Sequence, residues 1–277
     1  MSILRCISPR FNATTTTTLL RSLETSRRLT SQSGSTANDA NQTLKRFWKD
    51  VGIEKLGGSY TVTLDNRPLK TPSGNKLLLP KDKALVTSLI ATEWDSQEKM
   101  IKPHALPMTS LAARAIDIFN EQNLRNEIQH LLLKYLDTDT IRFYQTHPEQ
   151  LVALQAKHWD PLHDWIRKTY DVEIHRTNSL LFTSQPEETV RKLKEVLDSL
   201  DHWHLAAMER TTLTTKSFVI GLALIKRQIN AEEASLAAHV EVNSQTERWG
   251  EVEDTHDVDY HDIRRQLGSA ACLISAF

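Results

Sequence analysis

Apolar positions follow two different periods along the chain. Between residues 60 and 64, Tyr, Val and Leu alternate with Thr, as expected for a strand with two unlike faces. Residues 65–66 (Asp-Asn) predict a turn, and residues 72–75 (Pro-Ser-Gly-Asn) predict a second turn before a short apolar segment at 76–79. This part of the sequence predicts a small antiparallel sheet.

The period then changes to that of a helix. Apolar residues fall at helical spacing in the segment 81–97 and again in most of the chain after residue 108. Proline followed by glutamate at 148–149 and 186–187 predicts two helix starts, whereas residues 173–183 predict an extended segment. Asn230 and Glu233 have the spacing of a capping box, so we expect a helix from there to Trp249, ended by Gly250.

These elements predict an α+β fold class. A small N-terminal antiparallel sheet with a packed helix would occupy residues 43–120, and a mostly helical orthogonal-bundle domain would follow at residues 121–277. The segment 31–42 is polar and is predicted to be a disordered linker. We find no internal repeat.

The first 30 residues have the composition of a mitochondrial transit peptide. Residues 1–40 contain five arginines, no lysine and only two acidic residues, and fifteen of the first 36 residues are Ser or Thr. They lack the continuous apolar block of a secretory signal. A disordered polar tail is the alternative, and cleavage shortly after Leu29 is expected if the segment is a transit peptide.

Composition and motifs exclude several classes of function. The formal net charge is −1 and the two cysteines could form at most one bridge, so neither a nucleic-acid surface nor a cysteine-rich zinc site is indicated. The longest strongly apolar run, residues 218–225, is too short to span a bilayer. No phosphate-binding loop, dinucleotide fingerprint, zincin motif or nucleophile elbow is present. We therefore predict no cofactor and no stable membrane insertion.

The most unusual stretch is acidic. Eight carboxylates and one arginine, Arg248, lie between Glu241 and Asp262, together with His256 and His261. The spacing does not fit an EF-hand loop, and nothing in the sequence defines the dry cleft that a catalytic carboxylate pair needs. Because unrelieved like charges cost stability, a partner rich in cations or donors is a reasonable explanation. Glu241 is the clearest candidate, since it lies beside a predicted apolar stripe of Ala234, Ala238, Val242 and Trp249.

Several longer motifs resemble one family. They are ATEWDSQ at 91–97, LDNRPLKTPSG at 64–74, IKPHALPMTSLAARAID at 101–117, and WGEVEDTHDVDYHDIRRQLGSA at 249–270. Together they are similar to the mitochondrial ATP synthase F(1) complex assembly factor 2 family, the chaperones of the F(1)-ATPase α subunit, over essentially all of residues 43–277.

The resemblance implies a non-enzymatic protein of the mitochondrial matrix. It would bind the unassembled α subunit without ATP, shield the surface that later contacts β, and leave when β arrives. We expect a monomer. The glutamate important in the family falls on Glu241, and the family's Glu-Trp-Asp segment falls on Glu93, Trp94 and Asp95, which we expect to anchor the structure. The residues that we predict to contact the partner are Glu241, Arg248, Trp249, Glu251, Glu253, Asp257 and Asp259.

Two other functions remain open from the sequence. One is a metal-dependent hydrolase using Glu251, Asp257 and Asp259 with His256 or His261 as the fourth group. The other is a structural subunit that remains in a finished complex. Glu241 could also form an internal salt bridge with Arg248, Arg264 or Arg265 instead of contacting a partner.

Overall fold

The structure, a computed structural model, describes residues 45–178, 184–250 and 255–275. The chain divides into two compact units. In the smaller unit the described part is residues 45–46 with 98–101, where Lys45 pairs with Met100 in an antiparallel bridge and the Arg46 N–H donates to the Lys99 carbonyl at 3.1 Å. The larger unit is Phe47–Gln97 with Lys102–Phe277.

The larger unit begins with a three-stranded antiparallel sheet in the order β1-β2-β3. The strands are β1 (Val51–Leu56), β2 (Ser59–Leu64) and β3 (Arg67–Pro68). Gly57 and Gly58, with φ of 56° and 89°, close the β1-β2 hairpin, and both angles favour glycine. The predicted turn at Asp65 and Asn66 is present, with φ of 47° and 65°.

The sheet differs from the prediction in two places. Strand β1 was not predicted, and the segment 76–79 is not a strand. It forms only isolated bridges, Lys70 with Lys76 and Tyr60 with Leu79. Pro80 closes the segment directly after Leu79, and a proline has no N–H with which to extend the ladder.

Eleven α-helices lie in the described part of the chain. They are α1 (Ala84–Asp95), α2 (Pro107–Asn120), α3 (Gln122–Lys134), α4 (Glu149–His158), α5 (Asp160–Tyr170), α6 (Glu187–Asp198), α7 (His202–Thr215), α8 (Phe218–Ile225), α9 (Ala231–Ala238), α10 (Val240–Trp249) and α11 (Thr255–Leu273). Single 3-10 turns occupy Lys81–Lys83, Pro103–Ala105 and Thr140–Arg142. The starts of α4 and α6 confirm the two Pro-Glu predictions.

Helix α7 lies at the centre of the helical part and packs against α2, α8 and α11, while α1 covers the sheet at β1 and β2. Every residue of α8 is buried, which explains its uniformly apolar sequence. Gly221 of α8 has no room for a side chain, because an added Cβ would lie 2.7 Å from the Thr212 hydroxyl of α7. The close approach of these two helices therefore requires glycine there.

The predicted helix from Asn230 to Trp249 is interrupted. The capping box is present, with the Glu233 N–H donating to the Asn230 side chain at 2.9 Å, and Gly250 follows the last helical residue with φ of 85°. At His239, however, ψ is 16° and α9 gives way to α10. The buried indole N–H of Trp159 donates to the Ala237 carbonyl at 2.8 Å, which holds the chain to the core just before the break.

The predicted α+β fold class is confirmed by this arrangement of a small antiparallel sheet, a packed helix and a helical remainder. The division into domains at 43–120 and 121–277 stays a prediction. The predicted transit peptide, residues 1–30, and the predicted linker, residues 31–42, lie outside the described residues, as do the last residues of the predicted extended segment.

Candidate functional site

Glu241 lies in the first turn of α10 because the chain breaks at His239. A carboxylate there is stabilised by the positive end of the helix dipole. Its side chain is exposed, and within the described residues it forms no hydrogen bond or ion pair. The internal salt bridges considered for it are not formed: Arg264 pairs with Glu232 at 2.7 Å, and Arg265 pairs with Asp262.

Glu241 separates two surface pockets. One, of about 570 Å³, is lined by charged and polar residues that include Lys216, His239, Asp259 and Gln266. The other, of about 260 Å³, is lined largely by apolar atoms and lies between α4 and α10, with Pro148, Leu151 and Trp249 among its walls. We call them the polar pocket and the apolar pocket. Glu241 is therefore part of the lining of both.

Arg248 and Trp249 form the outer wall of the apolar pocket. The Arg248 guanidinium stacks 5.0 Å from the centre of the Trp249 ring. Trp249 is 71% exposed, so it does not continue the buried stripe predicted from Ala234. The buried residues of α10 are instead Val240 and Ser244. An exposed tryptophan beside a pocket is a typical anchor for a protein partner.

Only some residues of the acidic stretch lie close to one another in the structure. Asp259 lines the polar pocket with Glu241, and its carboxylate lies 3.8 Å from the His239 ring. Burial lowers the pKa of His239, although the charge of Asp259 opposes this. Asp257 is exposed and lines neither pocket. Glu251 and Glu253 lie outside the described residues.

The predicted anchor residues lie elsewhere, where α1 meets α2. The Glu93 carboxylate accepts hydrogen bonds from the N–H groups of Met108 and Thr109, at 2.6 and 2.9 Å, and thus caps α2. Burial raises its pKa, against these hydrogen bonds. The Trp94 indole N–H donates to the Thr109 hydroxyl at 3.0 Å, and its ring packs edge-on against Trp48. Asp95 is exposed.

The described residues contain no metal site that would support the hydrolase hypothesis. Among them, no group of three His, Cys, Asp or Glu side chains could hold a metal ion. Glu251 and the side chain of His256 lie outside that set. In the same described residues, no helix is long and apolar enough to cross a membrane.

Sequence reasoning missed Arg210. This partly buried residue of α7 lines the polar pocket together with Glu241, and it also lines two further pockets beside α2. In the sequence Arg210 directly follows Glu209, and neighbouring opposite charges ordinarily indicate nothing beyond a solvated helix face. Only the tertiary structure places Arg210 at the polar pocket.

Known proteins resemble this chain over most of its length. The profile of the ATP12 chaperone protein family matches residues 45–167. Mitochondrial protein atp12 of Schizosaccharomyces pombe is 35% identical, with 83% of this chain and 81% of that protein covered. Mitochondrial protein ATP12 of Saccharomyces cerevisiae is 33% identical, with 87% and 86% covered.

Solved protein structures are also similar to this chain. The crystal structure of Atp12 from Paracoccus denitrificans superposes with a TM-score of 0.70 at 31% identity and covers 83% of this chain and 97% of its own. The Atu1473 protein of Agrobacterium tumefaciens superposes with a TM-score of 0.72 at 28% identity, with 83% and 85% covered. The protein is therefore of a chaperone class and not an enzyme. It belongs to the ATP12 family, and the resemblance seen in its sequence is confirmed.

Proposed function

We propose that this protein is an ATP-independent chaperone that binds the unassembled F(1)-ATPase α subunit and promotes assembly of the mitochondrial ATP synthase. It acts as a monomer in the matrix, after import directed by residues 1–30. Family membership and the mitochondrial names of both fungal relatives support the general role. The α subunit as client comes from the resemblance of the sequence motifs.

The observation that carries the proposal is the accessible Glu241 carboxylate. It has no partner in the described residues and stands between the polar and apolar pockets, beside the exposed Trp249. An unpaired charge next to an exposed aromatic ring offers both orientation and apolar contact to a protein partner. The combination suits the capture of an apolar interface that an orphan subunit exposes.

Capture of the α subunit requires no chemical reaction. Apolar residues of the helical part cover the exposed interface of the α subunit, and the carboxylates Glu241, Asp257 and Asp259 speed and orient the encounter. Release follows when β competes with a larger and more stable interface. A dissociation constant of about 1 μM, or roughly 8 kcal/mol, would suit a factor that must be displaced. Raising the salt to about 0.5 M should weaken the association, since it screens exposed charges.

The test is suppression of aggregation of the isolated α subunit, without ATP or metal. We compare the wild type with Glu241→Lys and with Glu247→Lys, a matched control because Glu247 is an exposed residue of the same helix that lines neither pocket. Wild type and control should protect, and folded Glu241→Lys should not. If the wild type gives no protection, the proposal is wrong.

A structural subunit predicts a different distribution. It would co-purify with the finished ATP synthase, whereas a chaperone is found with assembly intermediates only. Import into isolated mitochondria, with and without residues 1–30, tests the location. Protease-protected protein that depends on those residues is the expected result.

A further inference from the structure

Within the part of the chain that the structure describes, the polar pocket is lined by a second charged residue without a hydrogen bond or ion pair, Arg210. Its guanidinium forms no hydrogen bond or ion pair with any side chain or backbone group in the described parts of the chain. Arginine has five N–H donors in a fixed fork. A partly buried guanidinium whose N–H groups have no hydrogen-bond partner among the described residues is therefore positioned to bind an acidic ligand.

Two carboxylates near Arg210 already accept hydrogen bonds from other residues. Its sequence neighbour Glu209 accepts two hydrogen bonds from Arg114, at 2.8 and 2.7 Å. Asp262, which also lines the polar pocket, accepts hydrogen bonds from Arg265 and Gln266. Burial alone would raise the pKa of Asp262, but these hydrogen bonds lower it, and the charge of Arg210 contributes to the lowering. Both acids are thus held by other residues.

Three neighbouring pockets share Arg210 or Glu241 among their lining residues. Arg210 lines both a pocket of about 450 Å³ between α2 and α7 and the polar pocket. Glu241 lines both the polar pocket and the apolar pocket. We call these three pockets the groove. Neighbouring pockets with a cation and an anion at the shared positions match an extended peptide better than a compact small molecule.

We propose that this groove binds an extended segment of the client protein that carries a carboxylate opposite Arg210 and a cation opposite Glu241. An apolar side chain of the same segment enters the pocket beside Trp249. The proposal rests on the proposed function and deepens it, because it names the chemistry by which the client is recognised. Two charges of opposite sign at separate positions also fix the direction in which the segment lies.

The test uses overlapping synthetic peptides that cover the F(1) α subunit, titrated against the folded mature protein. Peptides with an acidic and a basic residue should bind the wild type. Arg210→Glu should weaken that binding by about tenfold or more, as expected for loss of a charge-assisted hydrogen bond. The neutral variant Arg210→Gln should weaken peptide binding as well, and this variant replaces Arg210→Glu in the test if Arg210→Glu does not fold. Lys168→Glu is the matched control, because Lys168 is exposed and lines none of these pockets.

A charge swap makes the result specific. Changing the acidic residue of the bound peptide to lysine should abolish binding to the wild type and restore part of it with Arg210→Glu. Equal affinities for the wild type and both Arg210 variants would overturn the proposal. So would the absence of any peptide that binds the wild type. The aggregation assay with intact α subunit is independent of this result, so the failure of the groove proposal and the failure of the chaperone proposal are distinguishable.

Discussion

Glu93 accepts two hydrogen bonds from Thr109, one from its backbone N–H at 2.9 Å and one from its hydroxyl at 2.7 Å. A residue near the end of α1 thereby caps the start of α2, whose own preceding residue, Leu106, has no side chain able to do so. The contact joins two helices by a single carboxylate. Glu93, the first residue of the Glu-Trp-Asp segment, therefore has a structural role.

Replacing Glu93 by alanine should lower the free energy of unfolding by about 1 to 3 kcal/mol, because the N–H groups of Met108 and Thr109 lose their acceptor. Urea unfolding of the purified protein measures the loss. Glu247→Ala, at an exposed position, should change the stability by less than about 0.5 kcal/mol. Equal effects of the two substitutions would show that the cap does not contribute.

Trp94 should act through stability. Trp94→Phe keeps a ring against Trp48 but loses the hydrogen bond to Thr109, at a cost of about 1 kcal/mol. Trp94→Arg places a charge in a packed site and should cost about 3 to 5 kcal/mol. Circular dichroism melts should show this order. A stable, folded Trp94→Arg protein that no longer binds the client would contradict it and place Trp94 in the partner interface.

Lys83 should stabilise the end of α11. Its ammonium donates to the carbonyls of Leu273 and Ser275, at 2.9 and 3.1 Å, although the lysine is nearly buried. Lys83→Met retains the aliphatic stem and leaves those carbonyls unsatisfied, so we expect a loss of about 2 kcal/mol. Lys81→Met, at an exposed position two residues earlier, is the control and should be nearly neutral. The difference between their urea midpoints is the measurement.

Asp139 should make stability depend on pH. Burial raises its pKa to about 6, although hydrogen bonds from Ser217, Val219 and Ile141 favour the carboxylate. The folded protein then holds the proton more tightly than the unfolded chain, in which the carboxyl group has its ordinary pKa of 3.8. The protonated Asp139 therefore stabilises the folded protein fully at pH values below the unfolded-state pKa. This contribution to the free energy of unfolding decreases as the pH rises through about 6, by up to about 3 kcal/mol in all.

Comparison with Asp139→Asn isolates this group, since the amide does not titrate. The difference in unfolding free energy, wild type minus variant, should fall between about pH 4 and pH 7. A carbon-detected NMR titration of the Asp139 carboxyl group provides a direct reading. A midpoint below about pH 4 would contradict the prediction.

Trp249 should contribute to binding and not to folding. At 71% exposure its replacement by alanine should change stability by less than about 0.5 kcal/mol. If the proposed function holds, the same change should weaken α-subunit binding about tenfold, as for an interface anchor. Phe119 is equally exposed and lines neither the polar nor the apolar pocket, so Phe119→Ala is the matched control. Equal affinities for the two variants would remove Trp249 from the interface.

Strand β1 and the break at His239 show why parts of the fold could not be predicted from the sequence. The side chains of β1 are mostly exposed, so its few apolar residues leave no clear pattern of burial. Just before the break, the Trp159 indole N–H donates a hydrogen bond to the Ala237 carbonyl, 78 positions away along the chain. No local pattern encodes a contact over that distance. The helix starts at 148–149 and 186–187 were predictable because proline and an acidic first turn act locally.

The sequence by itself determined the fold class, the helix starts and the resemblance to a chaperone family, because periodicity, capping residues and long motifs are properties of neighbouring positions. The tertiary structure alone decided which charges are satisfied. It pairs Glu209 with Arg114 and Asp262 with Arg265, and it brings Arg210 of α7 and Glu241 of α10 to the lining of one pocket. Whether a charge is neutralised depends on residues brought within about 4 Å by packing, and packing joins positions that are distant in the chain.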